Sequence, residues 1–190
     1  MTIGPVRPMR ADARRNYERL LDAAKAAFAE HGTEAPLDDI AKRAGVGSGT
    51  LYRHFPTRLD LIEAVFLERI GTLMDAAKEL ERQPDAYQAL VEFLKRIIQH
   101  STTYRGLAKA LMAALHDRGS EVARSCHVLV YDAGERLLDR AKAQGSVRAE
   151  VDLRDLLKLA NGIALAAEQD TDATDVSDRL LALAVAGLRP

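Results

Sequence analysis

A chain of 190 residues, 47% apolar and 29% charged, holds one or two small domains with real cores and excludes the disordered and collagen-like classes. The net charge of −1 selects no partner, yet it is unevenly shared: residues 1 to 58 carry ten Lys/Arg against seven Asp/Glu, a balance of +3, which leaves −4 for the rest. Apolar runs such as Leu180 to Leu188 are far shorter than the roughly 20 residues of a membrane-spanning helix, so no membrane partner is expected.

From the N-terminus, MTIGPVRPMRADARR is basic but is not followed by the apolar block of a secretory signal. The single Cys126 cannot close an internal disulfide, and a cytoplasmic location is expected. Arg7, Arg10, Arg14 and Arg15 read either as a basic arm or as a solubilising tail. Then Tyr17, Leu20, Leu21, Ala24 and Phe28 recur on one helical face.

The next stretch, LDDIAKRAGVGSGTLYRHFP, has glycines at 45, 47 and 49. A phosphate-binding loop would need a strand before it and a Lys-Ser/Thr pair after it, and neither is present. A corner between two helices fits. Pro36 suits a first helical turn, Ile40 and Ala44 face inward, and small Ala41 admits a close neighbour. Gly45 stops the helix in the left-handed conformation, and Val46 plugs the corner. Gly47 or Ser48 opens the next helix, Leu51 and Phe55 turn back at i and i+4, and Pro56 blocks extension. The spacing predicts a helix-turn-helix over about residues 36–55.

Helical stripes continue to the end: Leu59, Ile62, Phe66, Ile70 and Leu73; Tyr87, Leu90, Val91, Leu94, Ile97 and Ile98; Tyr104, Leu107, Ala108, Leu111, Met112 and Leu115. Val122, Cys126, Leu129, Ala133 and Leu137 follow, then Leu153, Leu156, Leu157, Ala160, Ile163 and Ala164, and last Val176, Leu180, Leu183, Ala184 and Gly187. Thr57, Ser120 and Asp152 read as caps. The expected fold is all-α with about nine helices, a DNA-binding domain over 1–58 and a second helical domain over 59–190.

In the third helix, Ser48 and Thr50 offer hydroxyls and free N–H groups, Tyr52 a phenol and Arg53 a forked cation to base edges or phosphate. His54 is a further candidate DNA contact, while Ser48 also reads as a simple cap, Tyr52 as a packed aromatic and His54 as a surface or corner histidine. From Ala41 to Leu59 there is no acid, and Lys42, Arg43 and Arg58 are expected at phosphates of double-stranded DNA. The faces carrying Leu156, Ala160, Ile163, Ala164, Leu180, Leu183, Ala184 and Gly187 mix small and large residues, which predicts a homodimer through the last two helices.

Enzyme classes find little purchase. None of His31, His54, His100, His116 or His127 has a Glu three residues before it, which argues against a di-metal carboxylate bundle, and Cys126-His127 lacks zinc spacing. No metal, cofactor or catalytic residue is expected. The alternatives kept are a helical protein-binding adaptor and a DNA-binding protein that answers to no ligand.

Residues 14 to 62, through LLDAAKAAFAEHG, IAKRAGV and GTLYRHFPTR, resemble the N-terminal domain of the TetR/AcrR transcriptional regulators. GSVRAEVDLRDLLKLANGIALA resembles the approach to that family's dimerisation helices. The resemblance implies operator binding and a small-molecule effector, most simply a repressor released by a largely apolar ligand. Phe66, Phe93, Ile97, His100, Tyr104, Met112, His116 and Cys126 are the candidates to line its pocket. Two positions depart from the family: Pro36 stands where it commonly has Ser or Thr, so a hydroxyl phosphate contact is lost there, and Gly47 replaces a common capping Ser, leaving Ser48 or backbone groups to start the third helix.

Overall fold

The computed structural model describes residues 11–103, 121–168 and 170–190, and among them all regular structure is helical. The helices are α1 (Ala11–His31), α2 (Leu37–Arg43), α3 (Ser48–His54), α4 (Arg58–Leu80), α5 (Ala86–Thr103), α6 (Glu121–Ala143), α7 (Leu153–Ala167) and α8 (Ala173–Ala186). The expected stripe from Tyr104 to Leu115, with Met112, His116 and the Ser120 cap, lies outside the described residues, as does the side chain of Cys126.

Local chemistry sets the helix ends. Thr57 and Asp60 form a reciprocal capping box at the start of α4: the Thr57 amide and hydroxyl donate to Asp60 Oδ2, both at 2.8 Å, and the Asp60 amide donates to Thr57 Oγ1 at 3.2 Å. Asp152 accepts from the Arg154 amide at 2.7 Å and caps α7. Pro36 stands one place earlier than expected, as the N-cap of α2 with no side-chain bond.

Two compact units divide between Val65 and Phe66, inside α4. In the first, Leu20, Ala24 and Phe28 of α1, Ile40 and Ala41 of α2, Leu51 of α3 and Leu61 and Val65 of α4 are buried. The second has a core of Leu73, Ala77 and Leu80 from α4, Leu90, Phe93 and Leu94 from α5, Ala133, Leu137 and Leu138 from α6, Leu153, Leu156 and Ile163 from α7, and Leu181 and Val185 from α8. Each such large side chain contributes roughly 1.5–3 kcal/mol by leaving water. Polar ties fasten α8 to α5: Lys95 Nζ lies 2.6 Å from Asp178 Oδ2, and the Tyr87 hydroxyl donates to the Val185 carbonyl at 2.9 Å. Gly134 is needed where α6 nears the start of α7, since a Cβ there would lie 2.9 Å from both Leu153 methyls.

Several faces differ from the spacing. On α8 the inward stripe is Ser177, Leu181 and Val185, continued by Leu188 just past its end, so Leu180 and Ala184 are only half-buried and Leu183 and Gly187 are exposed. The run LLALAVAGL is apolar on every side and leaves its rotation open. On α6, Leu129 is 50% exposed while Leu138 and Ala141 take the inward positions.

Candidate nucleic-acid interface

The corner between α2 and α3 is built as a Schellman turn. The Val46 amide donates to the Ala41 carbonyl at 3.0 Å, the Gly45 amide to Lys42 at 3.0 Å, and Gly45 has φ +66°. Leu51 is fully buried and Phe55 nearly so, which fixes the inward side of α3. The Tyr17 ring packs 5.1 Å from Phe55 and edge-on to His54 at 5.9 Å, anchoring the end of α3 on α1.

With that side fixed, helical geometry pushes Tyr52 and Arg53 outward, and Tyr52 is 46% exposed. Ser48 and Thr50 stand half-buried at the start of α3, and their neighbour Gly47 is the N-cap, with no side-chain bond to the helix. The first amides of α3 are therefore left without a side-chain acceptor, as suits contact with phosphate. Lys42 is exposed on α2.

Three expected contacts have other duties. Arg43 is held in a two-pronged pair by Glu30, at 3.0 and 2.7 Å, and its bond to Glu30 is the leading cause that raises its pKa while lowering that of the carboxylate. Arg58, expected at phosphate, turns Nη1 to the carbonyls of Thr33 and Ala35 at 2.8 and 2.6 Å, clamping the α1–α2 loop. His54 is part of the aromatic corner. Sequence reasoning also missed Arg19, whose guanidinium donates to the Gly45 carbonyl at 3.3 Å. Nothing in its spacing from Gly45 announces it.

In the second unit the expected ligand residues are dispersed. Among the described ones, Phe93 and Ile97 are core, Phe66 is buried with its ring edge-on to His100 at 6.2 Å, and His100 borders a cavity of about 250 Å³ with Arg69, Thr72, Arg96 and Gln99. Burial, followed by the nearby Arg69 charge, lowers the His100 pKa. Of the expected dimer residues, Leu156, Ala160, Ile163 and Ala164 fill the core of their own chain. The large apolar side chains that α7 and α8 leave exposed are Leu183, an expected dimer residue, at 75%, and Leu159 and Leu165, which were not expected there, the latter at 70%.

Comparison with known proteins bears on both units. Residues 20–65 match the family described as bacterial regulatory proteins, tetR family, and residues 85–190 match the C-terminal domain of SbtR-like transcriptional regulators. A helix-turn-helix-type transcriptional regulator of Staphylococcus aureus is 31% identical over 108 residues, 56% of this chain and 57% of the relative, so the chain spans little more than half the length of that curated protein. Among solved structures, a TetR transcriptional regulator from Streptomyces coelicolor is 36% identical with a TM-score of 0.75, covering 91% of this chain and 98% of its own. A TetR regulatory protein from Mycobacterium vanbaalenii is 33% identical with a TM-score of 0.70, covering 96% and 100%.

Proposed function

The chain belongs to the TetR family of bacterial transcriptional regulators, and from that premise we propose that it reads duplex operator DNA through residues 36–55, as a homodimer. Thr50, Tyr52 and Arg53 enter the major groove, while Lys42 and the α3 amides hold phosphates and set the register. Arg58 and His54 support the head from behind. The observation that carries this reading is the pairing of exposed Tyr52 and Arg53 on a helix whose other side is locked by Leu51 and Phe55, within a stretch free of acid from Ala41 to Leu59.

The dimer face is the outward side of α7 and α8. Leu159, Gly162, Ala166 and Leu183 are exposed there and combine apolar area with small residues that let helices cross closely. A two-fold pair of heads demands a near-palindromic site with half-sites about one DNA turn apart or slightly more. Repression relieved by a small molecule is the form of regulation that family membership supports, with the second unit as the receptor. The test is selection of duplexes from a randomised library by the purified full chain. Enrichment of a near palindrome is expected; a pool that stays random through successive rounds overturns the reading.

A further inference from the structure

A groove of about 490 Å³ runs between α6 and α7, within the usual ~300–1,000 Å³ of small-molecule sites. Its α7 wall is a single stripe at i, i+3, i+4 and i+7: Arg154, Leu157, Lys158 and Asn161. The exposed Leu159, Gly162 and Ala166 fall on a different stripe of the same helix, so a dimer through those residues leaves this wall to other partners.

The α6 wall is aromatic. His127 and Tyr131 are stacked, with ring centres 6.5 Å apart and planes 11° from parallel. From the opposite wall the Arg154 guanidinium stands 5.9 Å from the Tyr131 ring centre. The neighbouring Glu135 carboxylate, ahead of burial, raises the Tyr131 pKa, and Arg154 acts in the opposite direction.

Lys158 adds a second cation one turn along. Its contact with Asp155 is long, 3.5 Å, between exposed groups, and such a pair yields readily to a better anion. Asp132 is the one carboxylate among the described lining residues, set against the two basic side chains Arg154 and Lys158. Val128 leaves 55% of its surface in water beside the rings, and Leu157 is half-buried, so apolar area waits to be covered. Asn161 brings both a donor and an acceptor.

Two near-parallel aromatic rings, apolar flanks and two cations on the facing wall select a shape and a charge together. We propose that this groove binds a planar aromatic carboxylate or sulfonate, its ring system against His127 and Tyr131 and its anion between Arg154 and Lys158. A planar cation would meet Arg154 and Lys158 with like charge. This names the ligand class of the receptor unit, and it rests on the regulatory reading above only for its effect on DNA, not for binding.

The test is calorimetric titration of the full chain with 2-naphthoate and its neutral isostere 2-naphthamide. Naphthoate should bind, and naphthamide should bind about tenfold or more weakly, the size of one charge-assisted hydrogen bond. The double variant Arg154→Gln/Lys158→Gln should lose that preference while keeping its melting temperature, since both side chains are exposed. Val128→Trp, which fills the groove from an exposed position, should block both compounds. No naphthoate binding, equal affinity for the two compounds, or an unchanged preference in the double variant overturns the site. Operator affinity measured in the same samples separates the two ideas: naphthoate binding without operator release supports the groove and removes the switch, whereas a chain that takes naphthoate but enriches no duplex removes the DNA reading alone.

Discussion

The three glycines of the α2–α3 corner are chemically alike and should respond to substitution in opposite directions. Gly45 sits at φ +66°, where a side chain costs about 1–2 kcal/mol in steric strain. An added Cβ would also lie 2.3 Å from Arg19 Nη2, but that is the tip of an exposed, flexible side chain, which can swing aside at the cost of one long bond. The strain therefore dominates, and Gly45→Ala should destabilise by about 1–2 kcal/mol, a melting shift of roughly 2–8 °C at this size. Gly49 lies within α3 with nothing within 4 Å of a new Cβ, so Gly49→Ala should stabilise by about 0.5–1 kcal/mol. Gly47 is an N-cap at φ −73°, ψ 150° that lacks a side-chain bond, and Gly47→Ser should gain a few tenths of a kcal/mol. Thermal melts and urea titrations of the three variants measure this directly. If Gly45→Ala and Gly49→Ala moved in the same direction, the left-handed conformation would not be the reason for glycine at 45. Should Gly49→Ala stabilise the chain yet weaken operator binding, Gly49 serves close approach to DNA and not the fold.

Arg53→Ala should weaken operator binding by about 1–3 kcal/mol in a manner that depends on the base sequence, measured by fluorescence anisotropy on a panel of single-site operator variants; a uniform loss across the panel would make Arg53 a phosphate contact. Arg58→Ala strands the Thr33 and Ala35 carbonyls and should cost about 1–3 kcal/mol of stability in urea, whereas an effect on operator affinity alone would return Arg58 to the DNA. Leu183→Glu puts a charge in the outward face of α8 and should yield a monomer by light scattering; an intact dimer would place the interface elsewhere. The folded-state pKa of His100 is depressed by burial, so as pH falls below the ordinary histidine value of about 6.5 the unfolded chain takes the proton first and stability declines. Between that value and the lower folded pKa, His100→Gln should show a flatter dependence than the unaltered chain; parallel curves would refute this account.

The corner was legible because its constraints are local. Ala41, Gly45 and Leu51 make backbone bonds with neighbours within a turn or two, and the caps Thr57 and Asp152 act across two or three residues. What failed to show is what depends on remote partners. Glu30 and Arg43 are 13 positions apart, and Arg58 reaches back 23 and 25 positions, so neither pairing has a signature in spacing. Rotation of the last helix was hidden for a different reason: where all sides are apolar, only the packing of α5 and α7 against it decides which one turns in, and the expected dimer residues inherited that ambiguity. The α6–α7 groove escaped notice because its chemistry is divided between two stripes some 27 positions apart, neither unusual by itself.

The bonds that fasten the reading head, Glu30 to Arg43, Arg58 to the α1–α2 loop, Arg19 to Gly45 and Tyr17 to Phe55, all begin and end before Val65. Selection can therefore act on the two units as separate traits. Under the roles proposed for them, a lineage that changed Tyr52 or Arg53 would acquire a new set of target genes and keep its old chemical sense, and one that reshaped the α6–α7 groove would answer a new compound while commanding the same genes. Rewiring a response by this route takes a few surface substitutions and leaves no core to be rebuilt.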